Sequence, residues 1–385
     1  CVVLDATDIE VGGPKALSQL RKRLDEWLYR RNLYNDRFPV TGSSFFGRNQ
    51  TLKECEGQLN TGNHIGIFGL RKTGKTSLLF ELRDRLINDV VVYLDLQQFG
   101  RGTPLSDVSR QLIGETNRQV AEKFEGIPHL AKCKTIGTAM VEVAKLIDII
   151  RARQKATRFL LLIDEVERMA PGSDGSGSGF EFFSALRGTS QQSRSVLTII
   201  CGADPAINLV GRWEDKDNPI FQFYHPIYLP PLSKIECHDM VTRLGRGMGV
   251  FYDASALDAL FLETFGHPAI TRGLCSKITQ EFKDRPLQVD NRMVDAISNE
   301  YSFVEAELLK EILERFSSKP TERTLLEIIL EAGGSVDESH LLSIVKGGEW
   351  DSLRRLLNYS VLIKSETKYS ISMGLLARCL RREGL

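Results

Sequence analysis

The sequence predicts an α/β fold: a parallel sheet with helices on both faces, then a helical unit, then a small unit of helices and a hairpin. Three observations carry this. Short apolar runs rich in Val and Ile ("HIGIF", "VVVYLDL", "FLLLID" and "VLTIICG") are continuous rather than alternating, as befits strands covered on both faces. Helical stretches separate them at 75–88, 105–124, 138–154 and 180–187, and that alternation implies parallel pairing through right-handed crossovers. After "YLPPL" (228–232) the strand signal stops, and 233–316 reads as helical throughout, with apolar stripes in "SALDALFLETF" and "EAELLKEILERF".

The flanks follow in order. Residues 1–41 hold a short strand at 2–4 and a helix, "KALSQLRKRLDEWLYRR", with Leu17, Leu20, Leu24 and Leu28 at helical spacing. Its six basic and two acidic residues read as a solvated face. "RFPVTGSSFFGRN" reads as a linker, and "PGSDGSGSG" (171–179) as a low-complexity loop. From about residue 320 come helix, Gly-Gly turn, helix, Gly-Gly turn, helix, the hairpin "SVLIK-SET-KYSIS" and a last helix, which is the winged-helix pattern. The expected domains are a flank over 1–41 (the tail of an upstream domain plus a linker), a sheet domain over 42–231, a helical domain over 232–316 and a winged helix over 317–385.

Bulk properties narrow the function classes. At 385 residues the chain exceeds one ordinary core. Its 42% hydrophobic and 26% charged residues are ordinary for a globular protein. Fifty Lys and Arg balance fifty Asp and Glu, which argues against a chain wholly given to nucleic acid. The seven Cys lie far apart with no C-x-x-C pair, so neither a zinc site nor a disulfide framework is indicated, and a reducing, cytoplasmic setting is expected. No apolar run approaches the roughly 18 residues of a membrane helix, and no signal peptide is visible. The chain starts at Cys1 without a Met, so a longer parent chain is expected.

One motif carries chemistry directly. Gly69-Leu70-Arg71-Lys72-Thr73-Gly74-Lys75-Thr76 matches G-x-x-x-x-G-K-[ST], between an apolar strand and a leucine-rich helix. Glycines let successive backbone N–H groups turn inward on phosphate oxygens. The helix start adds the positive end of its dipole. Lys75 is expected to reach the β- and γ-phosphates, and the Thr76 hydroxyl to ligate Mg²⁺. Leu78, Leu79, Leu82 and Leu86 would hold this helix on the sheet.

A second motif, "RFLLLIDEVERM", runs four apolar residues into Asp164 at a strand's carboxyl end, where ligands gather in open α/β sheets. Asp164 is expected to hold Mg²⁺, directly or through water. Glu165 follows and is the candidate to orient and deprotonate an attacking water. The predicted fold is therefore a three-layer P-loop NTPase, with Lys75, Asp164 and Glu165 as catalytic candidates and ATP or ADP with Mg²⁺ as cofactors.

These residues resemble the additional-strand P-loop ATPases of the AAA+/STAND group, in the branch of the archaeal-type ATPases and origin-recognition initiators, over about residues 42–385. "SFFGRNQTLKECEGQL" is similar to the family's N-terminal box, which implies that Phe46, Gly47 and Arg48 lie against adenine and ribose. The phosphate loop with Ser77, and "LLLIDEVE", are the two Walker motifs. "TFGHPAITRGLCSKI" resembles the lid motif G-x-P, implying nucleotide contacts from His267 and Pro268 and a second-sensor role for Arg272. For His267, capping of the following helix is the alternative, and for Arg272 a structural role. At the first-sensor position, usually Asn, Ser or Thr, the nearest polar residue is Asp204, which leaves positioning of the attacking water and the turnover rate open. Arg194 and Arg212 are both candidates for an arginine finger, with an ordinary surface position as the alternative for each. Residues 1–35 resemble the end of a restriction-nuclease-like effector domain, without its catalytic constellation.

The resemblance implies a nucleotide-driven switch that forms homo-oligomers and controls a fused or partner effector, in prokaryotic signalling or antiviral defence. Two alternatives stand beside it. One is an initiator-type ATPase that reads DNA through the winged helix, where Glu349, Asp351, Arg354, Arg355 and Asn358 surround the seam of Trp350, Leu353 and Leu357. Over 317–385, however, ten basic residues meet nine acidic ones, which offers little phosphate neutralisation. Lys364, Lys368, Arg378, Arg381 and Arg382 form its one basic cluster. The other alternative is a nucleotide-binding scaffold with little turnover.

Overall fold

The four apolar runs become strands β1 (Ile65–Phe68), β2 (Val90–Asp95), β3 (Phe159–Asp164) and β4 (Val196–Gly202) in the computed structural model. It describes residues 32–35, 38–99, 103–170, 178–213, 215–304, 307–317, 319–344 and 349–382, together with Ser18. The expected strand at 2–4, the leucine-spaced helix of the flank apart from Ser18, the loop at 171–177 and the second Gly-Gly turn (347–348) lie outside the described residues.

The strands form one parallel sheet in the order β2-β3-β4-β1-β5. The fifth strand, β5 (His225–Tyr228), was not anticipated from the sequence. It carries Pro226 and leaves two positions exposed, so it lacks the continuous apolar signature. Both features belong to an edge strand, where a missing ladder donor is tolerated.

The pleat divides the sheet residues between two cores. Val90, Val92 and Leu94, with Phe159, Leu161 and Ile163, face α3 (Leu105–Lys123), α4 (Ile136–Arg153) and α5 (Ser178–Gln192). Val91, Leu160 and Leu162 face α1 (Asn49–Asn60) and α2 (Lys75–Arg85), meeting Leu52, Leu59, Leu78, Leu79 and Leu82. Each such buried side chain contributes roughly 1.5–3 kcal/mol. Burial on both faces is what makes the runs continuous rather than alternating.

His64 closes the amino end of β1. Its Nδ1 accepts the Thr198 N–H at 3.0 Å, and the ring stacks on Phe223. Burial lowers its pKa to about 4. Unfolding frees the ring to take a proton at its ordinary pKa, so its contribution is complete above about pH 6.5 and is lost as pH falls toward 4. Acidification across that window is expected to remove on the order of 3 kcal/mol, measured as urea midpoints at successive pH values. A His64→Asn variant should flatten that slope; an unchanged slope would refute the assignment.

These elements belong to one of two compact units, Pro39–Pro230; the described residues before Pro39 belong with Pro231–Leu385 in the other. In the second unit α6 (Lys234–Arg246) opens with a capping box between Ser233 and Glu236. β6 (Val250–Tyr252), α7 (Ala254–Thr264), α8 (Pro268–Glu281), β7 (Leu287–Val289), α9 (Asn291–Val304) and α10 (Glu307–Ser317) follow. The expectation of helix throughout 233–316 is corrected by β6 and β7, which pair in parallel. Three residues are too few to print a period of two. The chain before the sheet unit is also used here: Asn32 donates to Ser276 Oγ at 2.8 Å, and Tyr34, 2% exposed, donates to the Val241 carbonyl at 2.8 Å.

The last part holds α11 (Pro320–Glu331), β8 (Ser335–Asp337), α12 (Glu338–Ile344), α13 (Glu349–Asn358), β9 (Leu362–Ser365), β10 (Lys368–Ile371) and α14 (Gly374–Arg382). The expected hairpin β9–β10 is present, and β8 adds a third antiparallel strand on β10. No helix among the described residues is long and apolar enough to cross a membrane.

Candidate nucleotide-binding site

The loop from Gly69 to Gly74 leaves the carboxyl end of β1 and enters α2. Gly74 caps that helix at φ 95°, a left-handed conformation that glycine adopts freely. The first free N–H groups of α2 therefore open toward the loop. Thr73 donates its hydroxyl to the Leu70 carbonyl at 2.8 Å, closing the loop on itself. Leu70 and Thr73 are buried, whereas Arg71 and Lys72 are exposed.

Lys75, only 8% exposed, donates its ammonium to the carbonyls of Gly69 and Leu70 at 3.2 and 3.0 Å. Those partners are neutral, so a buried positive charge stands inside the loop, which suits an anion. Thr76 and Asp164, 88 positions apart in sequence, meet: the Thr76 hydroxyl donates to Asp164 Oδ2 at 2.6 Å. Tyr93 on β2 donates to the same oxygen at 3.2 Å, and the Glu165 N–H donates to Oδ1 at 2.9 Å. Burial first, then the Asp164 charge, holds the Tyr93 phenol protonated. A hydroxyl and a carboxylate of this kind are the hard oxygen donors that Mg²⁺ takes, usually with one or two protein carboxylates. The residues present fit such an ion.

Glu165 follows β3 in a left-handed conformation, φ 54° and ψ 44°. Its proton affinity is raised, by burial first and then by the charges of Glu167 and Asp164; Lys75 and Arg71 act against this. A carboxylate made more basic by its surroundings is suited to accept a proton from water.

Other expected site residues engage partners of their own. Arg48, 6% exposed, donates to the carbonyls of Thr73, at 3.0 Å, and of Pro230, so it buttresses the loop from outside. Phe46, also buried, and Gly47 lead into it. Ser77 Oγ accepts the Val40 N–H at 3.0 Å and holds the incoming segment on α2. Asp204 Oδ1 accepts the Ala206 N–H at 3.0 Å, so that oxygen serves the following turn. Arg194 is exposed, and Arg212, exposed as well, donates to the Asp215 carbonyl at 2.9 Å.

His267, Pro268 and Arg272 lie in the second unit. His267 is fully buried and caps α8, its Nδ1 facing the Ile270 N–H at 3.4 Å, which is the capping alternative of the sequence reading. Pro268 is the first residue of that helix. Arg272 donates to the carbonyls of Leu33 and Tyr34 at 3.0 and 3.2 Å.

Tyr93 and Glu167 adjoin this cluster, and the sequence reading assigned neither of them a role. Tyr93 reads as one apolar position of a strand, and only the β2–β3 register brings it beside Asp164. Glu167 accepts the Ala203 N–H at 3.0 Å.

No family model matches the sequence, and no curated protein matches it. Solved structures do. A Walker-type ATPase of Pyrococcus abyssi aligns over 91% of this chain and 99% of its own, with a TM-score of 0.63 at 16% identity. The ORC2 protein of Aeropyrum pernix, solved in ADPNP–ADP complexes, aligns over 92% of this chain and 98% of its own, with a TM-score of 0.50 at 13% identity. At such identities a likeness establishes the fold, and it agrees with the sheet order and phosphate loop described above. The chain has the α/β fold of the P-loop NTPases, which it shares with these two solved structures.

Proposed function

We propose that the chain binds ATP and ADP with Mg²⁺, hydrolyses ATP slowly, and uses the nucleotide state as a switch. The observation that carries this is the convergence of buried Lys75, Thr76 and Asp164 on one loop. Lys75 and the loop amides would take the phosphates, and Thr76 and Asp164 would hold the ion. The metal, when bound, supplies charge neutralisation between the phosphates. Glu165 would draw a proton from water. Loss of a γ-phosphate releases the groups it tied, which is a general means of switching. In the STAND-type reading the switch sets homo-oligomerisation and the control of a fused or partner effector, in prokaryotic defence or signalling.

Titration calorimetry with Mg·ATP and Mg·ADP tests binding, and the expected result is saturable heat with both. Light scattering tests the switch: assembly should grow with Mg·ATP over Mg·ADP, and the same mass in every nucleotide state would count against it.

A second reading, nucleotide binding with little turnover, is favoured by one observation. Asp204 is an acceptor already engaged by the Ala206 N–H, where a donor to the attacking water would be needed. Phosphate release at the level of buffer alone would select it. DNA reading through a winged helix draws less support, because two of the five basic residues in its cluster are engaged by acidic partners. Lys364 pairs with Glu338, and Arg378 pairs with Glu263 and donates to Asn299.

A further inference from the structure

Glu167 lies in the turn after β3, two residues beyond Glu165. Its Oε1 accepts the N–H of Ala203, the residue following β4, at 3.0 Å. Its Oε2 is buried with no hydrogen-bond partner among the described residues. A Cβ built on Gly202 would stand 2.4 Å from that oxygen and 2.8 Å from Val166 Cγ1. The end of β4 is thus shaped to admit this carboxylate, and glycine is the residue that leaves it room. A buried carboxylate oxygen without a partner is costly, so its placement calls for a compensating role.

The turn it anchors is strained. Glu165 is a non-glycine residue at φ 54°, a conformation that is strained and persists only when neighbours over-determine it. The Arg168 N–H closes on the Glu165 carbonyl at 3.0 Å, and the Ala170 N–H on the Glu167 carbonyl at 3.1 Å. Both bonds lie within the turn. The Glu167–Ala203 bond reaches from the turn to the neighbouring strand.

We propose that Glu167 is a positioning residue, which aims the Glu165 carboxylate by tying its turn to the end of β4 through the Ala203 amide. The proposal rests on the hydrolytic reading above, and its test keeps the two apart. In Glu167→Ala the kcat for ATP hydrolysis should fall roughly ten- to a hundredfold, the usual scale of a small misplacement, with the KM and Kd for Mg·ATP within about twofold of wild type. Glu167→Gln keeps an acceptor oxygen and should recover most of the rate. Gly202→Ala, whose Cβ displaces the carboxylate, should resemble Glu167→Ala.

Amide hydrogen exchange gives a readout free of turnover: protection of Ala203 should be lost in Glu167→Ala and kept in Glu167→Gln. Wild-type kcat in Glu167→Ala, a loss confined to KM or Kd, an equally impaired Glu167→Gln, or unchanged Ala203 protection would each overturn the proposal. Absence of turnover in the wild type, with exchange behaving as expected, would overturn the hydrolytic reading and leave the tie established.

Discussion

Lys75→Ala is expected to weaken Mg·ATP binding ten- to a hundredfold or more by titration calorimetry, with little change in melting temperature. In the structure the Lys75 ammonium is buried against two carbonyls of its own loop. Those bonds are to neutral acceptors, so the charge itself contributes little to folding. Against a phosphate each charge-assisted hydrogen bond contributes about 1.5–3 kcal/mol, and about 1.4 kcal/mol is a decade in affinity. The protein is therefore expected to stay folded, because the leucines of α2 and not Lys75 hold the helix on the sheet. Unchanged affinity in the variant would remove the phosphate from this loop and take the proposed function with it.

Glu165→Gln has the second large effect expected, on the rate and not on binding. General-base catalysis is worth roughly 10²–10⁴-fold, so phosphate release should fall by that factor while Mg·ATP affinity stays within about threefold. The substitution preserves shape and burial but removes the proton acceptor. It also removes a charge that sits near Asp164 and Glu167, which favours anion binding if anything. Equal, near-zero rates in wild type and variant would select the scaffold reading. A variant that keeps the wild-type rate would mean that another group activates water.

Much of the sheet domain was legible because burial on two faces writes itself as unbroken apolar runs. β2, β3 and β4 were read within a residue of their observed ends, and β1 differs by His64. α2 was legible because its start is spelled out by the phosphate loop. The helix α1 also escaped, and the strands that escaped share one physical cause, which is brevity combined with partial exposure. β5 has Pro226 and one fully buried residue, and β6, β7 and β8 have three residues each. Such strands owe their existence to a neighbour's free backbone edge and not to their own composition.

For the site, local sequence determined the phosphate loop, Asp164 and Glu165, because their chemistry depends on consecutive backbone amides and on a strand end. Tertiary structure alone decided the partners. Tyr93 reaches Asp164 through parallel register, Arg48 turns its charge to the carbonyls of Thr73 and Pro230, and Glu167 binds the Ala203 amide. Neighbours along a chain leave a pattern that can be read, whereas hydrogen bonds across 25, 36 or 71 residues depend on strand order, which no single stretch of sequence encodes.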